Sequence, residues 1–523
     1  MILGNITKSN PKEIGLEIGN ILKELNLVSS IEVAGPGFIN IFLNHSGTLK
    51  IIKDILDKNT IKEEEDSKKI QVEFVSANPT GPLHVGHGRG AIYGDVISKL
   101  LEKKGHKVQK EYYVNDAGRQ IDILTASVYL RAINIEDNIF PESAYRGEYI
   151  KEIAKNANLQ EVVNIDDLFK NLPKDKEEKI DEIISHLKSA CEKDWQSIKK
   201  ISLESVLSTI EKDLEDFGVT FDNWFLESSL LGADSKIDAA VQQLNTNNLI
   251  DNRDGNIWFK SSDFGDDKDR VLIRADGRQT YFASDVAYHK FKFDRKFDHL
   301  VNIWGADHHG YIPRIKGALD ALGLKGDLLK TIIIQFVSLN RSGKTVSMST
   351  RKGDFVSLNE LIDEVGIDAS RFFFLARKSD QALEFDVELA LKKDKNNPVY
   401  YIQYAHARIC SLLKEVEKRD FVIDSENGLK NLNLITGEQE LSLINEIELF
   451  QDTLEQCQID LEIHPLCFYL RDLASKFHSY YNANKFIEEE KNLRDAKFAI
   501  VLSIKRIITE GLNILAINAP EQM

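Results

Sequence analysis

Two histidines three residues apart lie in a glycine-rich stretch that could bind phosphate. His84 and His87 occur in VEFVSANPTGPLHVGHGRG, between a strand-like run and a run with helical spacing. Gly86, Gly88 and Gly90 let the backbone approach a ligand at a helix N-terminus, whose N–H groups and partial positive charge suit phosphate. The two imidazoles would share one face of the first turn and could donate hydrogen bonds to phosphoryl oxygens. Taken alone, the pair could equally be half of a zinc site or two capping residues, although no glutamate lies between them and no third ligand is apparent.

A second segment combines glycine and serine with several cations. NRSGKTVSMSTRKGD carries Arg341, Lys344, Arg351 and Lys352 within a short span. A basic loop of this kind can close over a leaving pyrophosphate and neutralise its charge in the transition state. If the segment stood alone, an exposed solvated loop would be the default interpretation.

Three short motifs resemble sites of other protein classes. GKT at Gly343–Thr345 is not a P-loop, because the first glycine of that motif would fall at Ser338. DFG at Asp263–Gly265 has no accompanying HRD or VAIK segment of a protein kinase. DHH at Asp307–His309 is the serious alternative, since Asp and His pairs bind Mn or Zn in metal-dependent phosphoesterases. That reading needs further acidic clusters at strand ends, and the sequence offers none.

The elements that must position these residues follow a readable order. The first stretch predicts a helix and then a strand, FINIFLN, and ends in IKEEEDSKK, which suits a linker. We therefore predict an N-terminal domain over residues 1–68. From residue 69 the order strand, glycine-rich turn, helix and strand (IQVEFVSA to HKVQKEYYV) predicts the opening of a parallel βαβ unit.

The middle and end of the chain differ in pattern. A charged, helical stretch from about residue 144 to 230 is followed by short predicted strands at NIWFK, RVLIR, TYFAS, LVNIWG and TIIIQFV. Strands interleaved with helices favour an α/β, doubly wound, Rossmann-like parallel sheet over residues 69–390, with an insertion around residues 144–250. Strand signals fade after about Asn397, so residues 391–523 are predicted to be an all-α helical bundle.

Composition and charge argue against a membrane-anchored, secreted or disulfide-rich protein. The 523 residues include 67 Lys and Arg against 83 Asp and Glu, a net charge of -16, so any polyanion must be met by local patches. No apolar run approaches the roughly 20 residues that span a bilayer, and no secretory segment is visible. Four scattered cysteines form no CxxC pair. These features lead us to expect a cytoplasmic protein without a membrane anchor.

Several blocks, in order, resemble one enzyme family over nearly the whole chain. LHVGHGRG resembles the HIGH signature of class I aminoacyl-tRNA synthetases, and ANPTGPLHVGHGRGAIYGD resembles its arginyl-tRNA synthetase form closely. The blocks EYYVNDAGRQ, GVTFDNWFLESSL, WGADHHGYIPR, NPVYYIQYAHARIC and INAPEQM resemble the same family. The middle insertion and the acidic part after Lys414 are generic.

The resemblance implies an arginine-tRNA ligase. Such an enzyme uses ATP with Mg²⁺ to convert L-arginine into arginyl-adenylate and then charges tRNA(Arg). It also implies that His84 and His87 are catalytic, and that an ATP site is formed by His84, Gly86, His87, Gly305, Asp307, His308, Met348 and Ser349. The basic segment resembles the KMSKS loop, but it reads Ser347, Met348, Ser349, Thr350 and Arg351. Both signature lysines are therefore absent, and Arg351 or Lys352 is expected to supply the missing charge.

An arginine substrate needs fixed carboxylates, because they match the planar guanidinium fork in a bidentate way that a lysine ammonium does not match. Tyr281 and Asp285 would share a helical face if a helix starts at Tyr281. The family's matching Tyr and Asp line the amino-acid pocket, as do the residues aligned with Glu73 and Asn78. Without the resemblance, Tyr281 would be read as a core aromatic and Asp285 as an exposed acid.

The C-terminal helices are implied to bind the tRNA anticodon stem and loop, and the N-terminal domain to contact the tRNA elbow. An aromatic stripe in NPVYYIQYAHARI is more often core than a base-stacking platform, and both interpretations stay open. The candidate tRNA contacts are Tyr404, Arg408, Lys505 and Arg506. The resemblance suggests a monomer.

Two other functions remain alternatives. An inactive paralogue that holds tRNA without charging it would fit the lysine-poor second loop, whereas the intact HVGH favours the enzyme. A DHH-type phosphoesterase would show metal-dependent hydrolysis that needs no amino acid.

Overall fold

The computed structural model describes residues 7–25, 27–57, 60–160, 163–232, 234–346, 356–487 and 490–523. It divides into two compact units. One is formed by residues 64–391, and the other combines residues 1–63 with residues 392–523. No helix among the described ranges is long and apolar enough to cross a bilayer.

The chain begins with a helix and a hairpin. Helix α1 (Pro11–Lys23) starts after Asn10, whose side chain accepts a hydrogen bond from the Lys12 backbone at 3.0 Å. Strands β1 (Val28–Ala34) and β2 (Phe38–Leu43) pair antiparallel, and helix α2 (His45–Leu56) follows. The predicted helix and the FINIFLN strand are confirmed. Strand β1 was not predicted, because the Ser29–Ser30 pair interrupts the alternation of apolar and polar residues in VSSIEVA.

The α/β unit is built on a parallel sheet. Its strands are β3 (Lys69–Glu73), β4 (Lys107–Val114), β5 (Asn223–Leu226), β9 (His299–Gly305) and β10 (Leu329–Ile334). Their order is β10-β9-β3-β4-β5, with every pairing parallel. The chain runs outward from β3 in one direction and from β9 in the other, so the order reverses between these two strands. In open parallel sheets, ligands bind at the carboxyl ends of the strands at such a switch point.

The helix of the predicted βαβ unit is present as α3 (Val85–Lys103) between β3 and β4. The helical stretch predicted after it is also present, as α4 (Arg119–Ala132), α5 (Glu148–Lys155), α6 (Ile165–Leu168), α7 (Lys176–Ala190) and α8 (Glu192–Asp216). Strand β5 lies within the stretch predicted as an insertion, yet it forms the edge of the main sheet. Sequence patterns missed it because only four residues are extended there.

Helix α9 (Lys236–Thr246) leads into a separate antiparallel sheet of β6 (Ile250–Arg253), β7 (Asn256–Phe259) and β8 (Arg270–Ile273). The strands predicted at NIWFK and RVLIR are therefore confirmed, although they lie outside the parallel sheet. The strand predicted at TYFAS is wrong. Thr280 caps a helix there, since its hydroxyl accepts a hydrogen bond from the Ala283 backbone at 3.3 Å, and helix α10 (Tyr281–Asp294) begins directly after it.

The last third of the unit carries the first part of the basic segment. After α11 (Ile312–Ala321), strands β11 (Val337–Arg341) and β12 (Lys344–Val346) form a hairpin. Ser342 and Gly343 turn it with φ of 51° and 74°, as a two-residue hairpin turn requires. The unit closes with α12 (Leu358–Val365), α13 (Ile367–Leu375), β13 (Leu383–Asp386), which pairs with β11, and α14 (Val387–Leu391).

After Asn397 the described chain is helical, as predicted. The helices are α15 (Pro398–Lys418), α16 (Ser425–Lys430), α17 (Glu438–Asp460), α18 (His464–Ala483) and α19 (Lys491–Ile514). Helix α19 is buried on most sides, with Ile500, Ile504 and Ile508 fully enclosed. Helix α2 belongs to the same unit, where the Thr48 hydroxyl donates a hydrogen bond to Glu448 Oε1 at 2.6 Å.

Candidate active site

The turn after β3 is held in a backbone conformation that few residues adopt. Val75 and Ser76 have φ of 64° and 42°. For a β-branched residue this left-handed region is costly, and such conformations concentrate at functional sites. Strand β4 fixes the turn, since the Tyr112 hydroxyl donates to the Ala77 carbonyl at 2.9 Å and the Tyr113 N–H donates to Ser76 Oγ at 3.1 Å. The chain is thus redirected at the carboxyl end of β3, toward the start of α3.

His84 and His87 cap the N-terminus of α3. The Gly86 N–H donates to His84 Nδ1 at 3.1 Å, and the His84 N–H donates to His87 Nδ1 at 3.3 Å. Their rings stack with centroids 3.7 Å apart. Because each Nδ1 accepts a backbone hydrogen bond, each neutral imidazole carries its proton on Nε2.

Burial keeps both histidines neutral at physiological pH. It lowers the pKa of His84, and together with the neighbouring His84 it lowers the pKa of His87 to about 3. The pair therefore presents Nε2–H donors without a formal charge. Such donors suit phosphoryl oxygens on which negative charge builds up.

Arg89 of the HGRG motif has a structural role that the sequence did not reveal. It is fully buried, and its guanidinium donates to backbone carbonyls of the segment that follows β10 and α13. The accepting residues are Gln335 at 3.1 Å, Gln381 at 2.7 Å, Arg377 at 3.1 Å and Lys378 at 2.8 Å. The spacing of HGRG gave no signal that its arginine would point inward.

The segment after the basic loop pairs with the start of α3. The Val85 N–H donates to the Val356 carbonyl at 3.3 Å, and the Leu358 N–H donates to the Leu83 carbonyl at 3.0 Å. The described chain that follows the basic segment is therefore paired with the residues on either side of His84. The predicted site residues Met348, Ser349, Arg351 and Lys352 lie outside the described residues. Arg341, in β11, is paired with Glu364 at 2.5 Å.

The predicted nucleotide residues Gly305, Asp307 and His308 lie at the carboxyl end of β9. Gly305 ends the strand, and the other two side chains are exposed on the turn that follows. In the sheet register Glu73 is opposite Asn302, so this turn and the β3–α3 turn occupy the same edge. The structure thus brings the GADHHG turn and the histidine motif to the switch point of the sheet.

Helix α10 presents Asp285 to a tyrosine. The Tyr311 hydroxyl donates to Asp285 Oδ2 at 2.6 Å. Burial, with smaller contributions from the nearby Glu73 and Glu227, raises the pKa of Asp285 to about 7 against the lowering effect of that hydrogen bond. Tyr281 begins the same helix and is 63% exposed.

Glu73 is tied to a buried lysine that sequence reasoning missed. Lys292 Nζ is fully buried, donates to Glu73 Oε2, and donates to Asn302 Oδ1 at 2.9 Å. The Asn302 amide contacts His289 Nε2 at 2.7 Å. Asp285, His289 and Lys292 recur at helical spacing, so a polar stripe on α10 was the available signal.

Further acids surround the same space. Burial, with Asp116 nearby, raises the pKa of Glu227. Burial also raises the pKa of the Tyr113 hydroxyl, which faces Glu227, Asp285 and Glu73. Lys292 compensates only part of this negative charge, so a cationic ligand beside these acids would be favoured electrostatically. The predicted Asn78 is exposed on the turn that leads from Glu73 to His84.

Among the described residues no group of three or more His, Cys, Asp or Glu side chains is arranged to hold a metal ion. Within that part of the chain, the DHH turn therefore lacks the additional ligands that a phosphoesterase reading requires.

The predicted tRNA residues fall into separate groups. Arg408 lies over the rings of Tyr404 and Tyr481, 4.8 Å from each centroid, and donates to Asn482 Oδ1 at 3.1 Å. Lys505 lies close enough to His406 to lower the pKa of that imidazole, after the larger effect of burial. Arg506 points elsewhere, with its Nε 3.4 Å from Thr60 Oγ1. Only Tyr404 and Arg408 are brought together.

Comparisons with known proteins agree with this arrangement. Residues 50–394 match the family described as tRNA synthetases class I (R), catalytic domain, residues 402–523 match the DALR anticodon binding domain, and residues 1–43 match the Arginyl tRNA synthetase N terminal domain. The arginine–tRNA ligase of Hydrogenovibrio crunogenus is 42% identical over 100% of this chain and 92% of its own length. That of Legionella pneumophila strain Corby is 44% identical over the same shares. The Thermus thermophilus arginyl-tRNA synthetase structure has a TM-score of 0.78 at 20% identity, covering 100% of this chain and 93% of its own, which supports the fold.

A parallel sheet with a histidine motif at its switch point, in a chain whose C-terminal part matches an anticodon binding domain, defines a class I aminoacyl-tRNA synthetase. The full-length relatives share one amino-acid specificity. The chain belongs to the arginyl-tRNA synthetase family, and its activity is that of an arginine–tRNA ligase that uses ATP, arginine and tRNA(Arg).

Proposed function

We propose that arginine and ATP bind side by side at the carboxyl ends of β3 and β9, and that arginyl-adenylate forms there. The proposal rests on the closeness in the chain of the acidic residues and the histidine motif. One short, fixed turn connects Glu73, in the acidic pocket, to His84, at the N-terminus of α3. A guanidinium at one end and a triphosphate at the other would place the substrate carboxylate near the α-phosphorus.

On the nucleotide side, His84 and His87 donate from Nε2 to phosphoryl oxygens, and the α3 N-terminus adds its partial positive charge. Gly86 permits close approach, while Gly305, Asp307 and His308 contact the adenosine. Met348 and Ser349 of the second signature complete the ATP site, and Arg351 and Lys352 supply its missing positive charge. ATP enters as its Mg²⁺ complex. The arginine carboxylate attacks the α-phosphorus and pyrophosphate leaves, so no side-chain nucleophile is needed.

On the arginine side, Glu73 and Asp285 accept hydrogen bonds from the guanidinium, and Tyr281 and Asn78 complete the pocket. A carboxylate pair matches the planar fork of a guanidinium better than it matches a point-like ammonium. The raised pKa of Asp285 supports this assignment, because a buried acid that is costly to ionise is stabilised by an incoming cation.

In the second step, the 2′-OH of the terminal tRNA ribose takes the arginyl group. We also propose that tRNA must be present before arginine is activated. The helical domain over residues 391–523 reads the anticodon arm through Tyr404 and Arg408, with Lys505 and Arg506 as further contacts. The N-terminal domain over residues 1–68 contacts the tRNA elbow, and the catalytic domain spans residues 69–390.

The enzyme acts as a monomer in the cytoplasm under this proposal. The cysteines support a reducing compartment, since Cys191, Cys410, Cys457 and Cys467 are all buried thiols that form no disulfide in the described part of the chain.

Calorimetric titration of the full chain with tRNA(Arg) present tests the pocket. L-citrulline has nearly the shape of arginine but carries no side-chain charge, and L-lysine carries its charge on an ammonium. We expect arginine to bind at least about tenfold more tightly than either analogue, because a charge-assisted pair is worth roughly 1.5–3 kcal/mol. Equal binding of citrulline would contradict an acidic, guanidinium-selective pocket.

A further inference from the structure

Separate parts of the chain meet at the last turn of α8. Asp213, 5% exposed, accepts a hydrogen bond through Oδ1 from the side-chain amide of Asn359 at 2.5 Å. The backbone N–H of Leu83 also stabilises this carboxylate. Leu83 directly precedes His84, and Asn359 lies in the first turn of α12. The Asp213 carboxylate therefore joins the end of α8 to the residue before His84 and to the start of α12.

Arg371 attaches the end of α8 to the neighbouring helices by a second set of bonds. Arg371 of α13 donates through Nη1 to the Phe217 carbonyl at 3.0 Å and through Nη2 to Asp95 of α3. Arg371 and Asp95 are each 1% exposed. The end of α8 is thereby attached to α3 and to the helices that follow the basic segment through two independent sets of bonds.

The segments joined by Asp213 also pair with each other through the backbone bonds of Leu83–Val85 and Val356–Leu358. These two bonds form a single isolated bridge between His84 and Ser357. A pairing this short fixes register weakly. Asp213 contacts Leu83 on one strand of this bridge and Asn359 just after the other strand, and so adds a second constraint on their register.

We infer that Asp213 is a positioning residue for adenylate formation. It holds Leu83 and Asn359 in register, and through them it fixes the N-terminus of α3, where His84 and His87 meet the phosphates. The inference rests on the proposed role of those histidines. Asp213 contacts Leu83 and Asn359, so its effect on the histidines passes through the backbone.

The test compares Asp213→Ala, Asn359→Ala and the exchanged pair Asp213→Asn with Asn359→Asp. The exchange restores an amide-to-carboxylate hydrogen bond in the reverse direction, and the amide at position 213 still offers an oxygen to the Leu83 N–H. The rate of pyrophosphate exchange is measured with tRNA present, with KM for ATP and for arginine. We expect kcat of each single variant to fall about ten- to hundredfold, because small misplacements of aligned groups cost that much. We expect arginine KM to stay within about twofold, and the exchange to recover most of kcat.

Glu215→Ala, an exposed change in the same turn of α8, is the matched control, and thermal unfolding reports folding. If Asp213→Ala fails to fold, Asn359→Ala and the exchanged pair decide the question, since they remove or reverse a single bond. Folded variants with kcat within twofold of the parent overturn the inference, as does an exchanged pair that remains as slow as the single variants. His87→Ala is measured in the same assay. Full activity of His87→Ala would contradict the proposed function. A slow His87→Ala together with fully active Asp213 and Asn359 variants would contradict only the inference about Asp213.

Discussion

The hydroxyl of Tyr311 donates a hydrogen bond to Oδ2 of Asp285 at 2.6 Å. The bond favours the ionised carboxylate, but burial outweighs it and holds the pKa of Asp285 at about 7. If Asp285 binds the substrate guanidinium as proposed, an acid poised at this pH couples arginine binding to proton release.

Arginine affinity should therefore depend on pH. The pKa of Asp285 is raised in the free enzyme, and a bound guanidinium favours its carboxylate. Arginine binding should consequently weaken as pH falls through about 7, by roughly tenfold for each unit below it, and level off above it. Calorimetry between pH 5.5 and 8 measures this. Tyr311→Phe removes a bond that lowers the pKa, so its profile should shift to higher pH. A flat profile for the parent enzyme would remove Asp285 from the pocket.

Asp285→Asn should raise the KM for arginine with a smaller effect on kcat at saturation. The substitution keeps the shape and removes the charge, so the expected loss is about 1.5–3 kcal/mol of binding. Pyrophosphate exchange with varied arginine gives both constants. Asp294→Asn, at the exposed end of the same helix, is the control and should leave both unchanged. Unaltered arginine saturation in Asp285→Asn would show that the pocket is wrongly assigned.

His87→Ala should slow adenylate formation by about 2–4 kcal/mol of transition-state energy, because one preorganised donor to the phosphoryl group is lost. Pyrophosphate exchange with tRNA present is the measurement, and His186→Ala on helix α7 is the control. The pKa of His87 is about 3, so its imidazole stays neutral from pH 5 to 8 and contributes no inflection to the rate profile there. Unchanged turnover would exclude the histidine from the reaction.

Lys292→Met should destabilise the α/β unit by about 3–5 kcal/mol, since it leaves Glu73 as a buried charge without its ammonium partner. Adding Glu73→Gln removes that charge and should recover part of the loss in the thermal unfolding midpoint. The single variant Glu73→Gln completes the double-mutant cycle. Additive effects of the two substitutions would mean that their buried contact contributes little.

Local patterns were sufficient for some elements and insufficient for others. The β3–α3–β4 unit and strands β9 and β10 were predictable, because apolar periodicity and glycine placement lie within each segment. Helix α10 was misread at its start, since TYFAS has the composition of a strand and only the cap at Thr280 reveals the helix.

The candidate site divides in the same way. His84 and His87 were named from motif and spacing, and Asp285 from the family resemblance. The fold brings the histidine motif and the turn after β9 to one sheet edge. The bond from Lys292 to Glu73 joins residues 219 positions apart, and that from Asn359 to Asp213 joins residues 146 apart. No local period reports contacts of this range, because they exist only once the sheet order is set.

Arg89 has a consequence for the balance of charge around the nucleotide. The HGRG motif holds a single cation, and its guanidinium is enclosed among four carbonyl oxygens from residues 335, 377, 378 and 381. Helix α3 is therefore anchored from inside, and tilting it would cost several charge-assisted bonds together. If ATP binds at this helix end as proposed, the motif offers its phosphates oriented dipoles and neutral donors only, so the counter-charge for the departing pyrophosphate has to come from outside the motif.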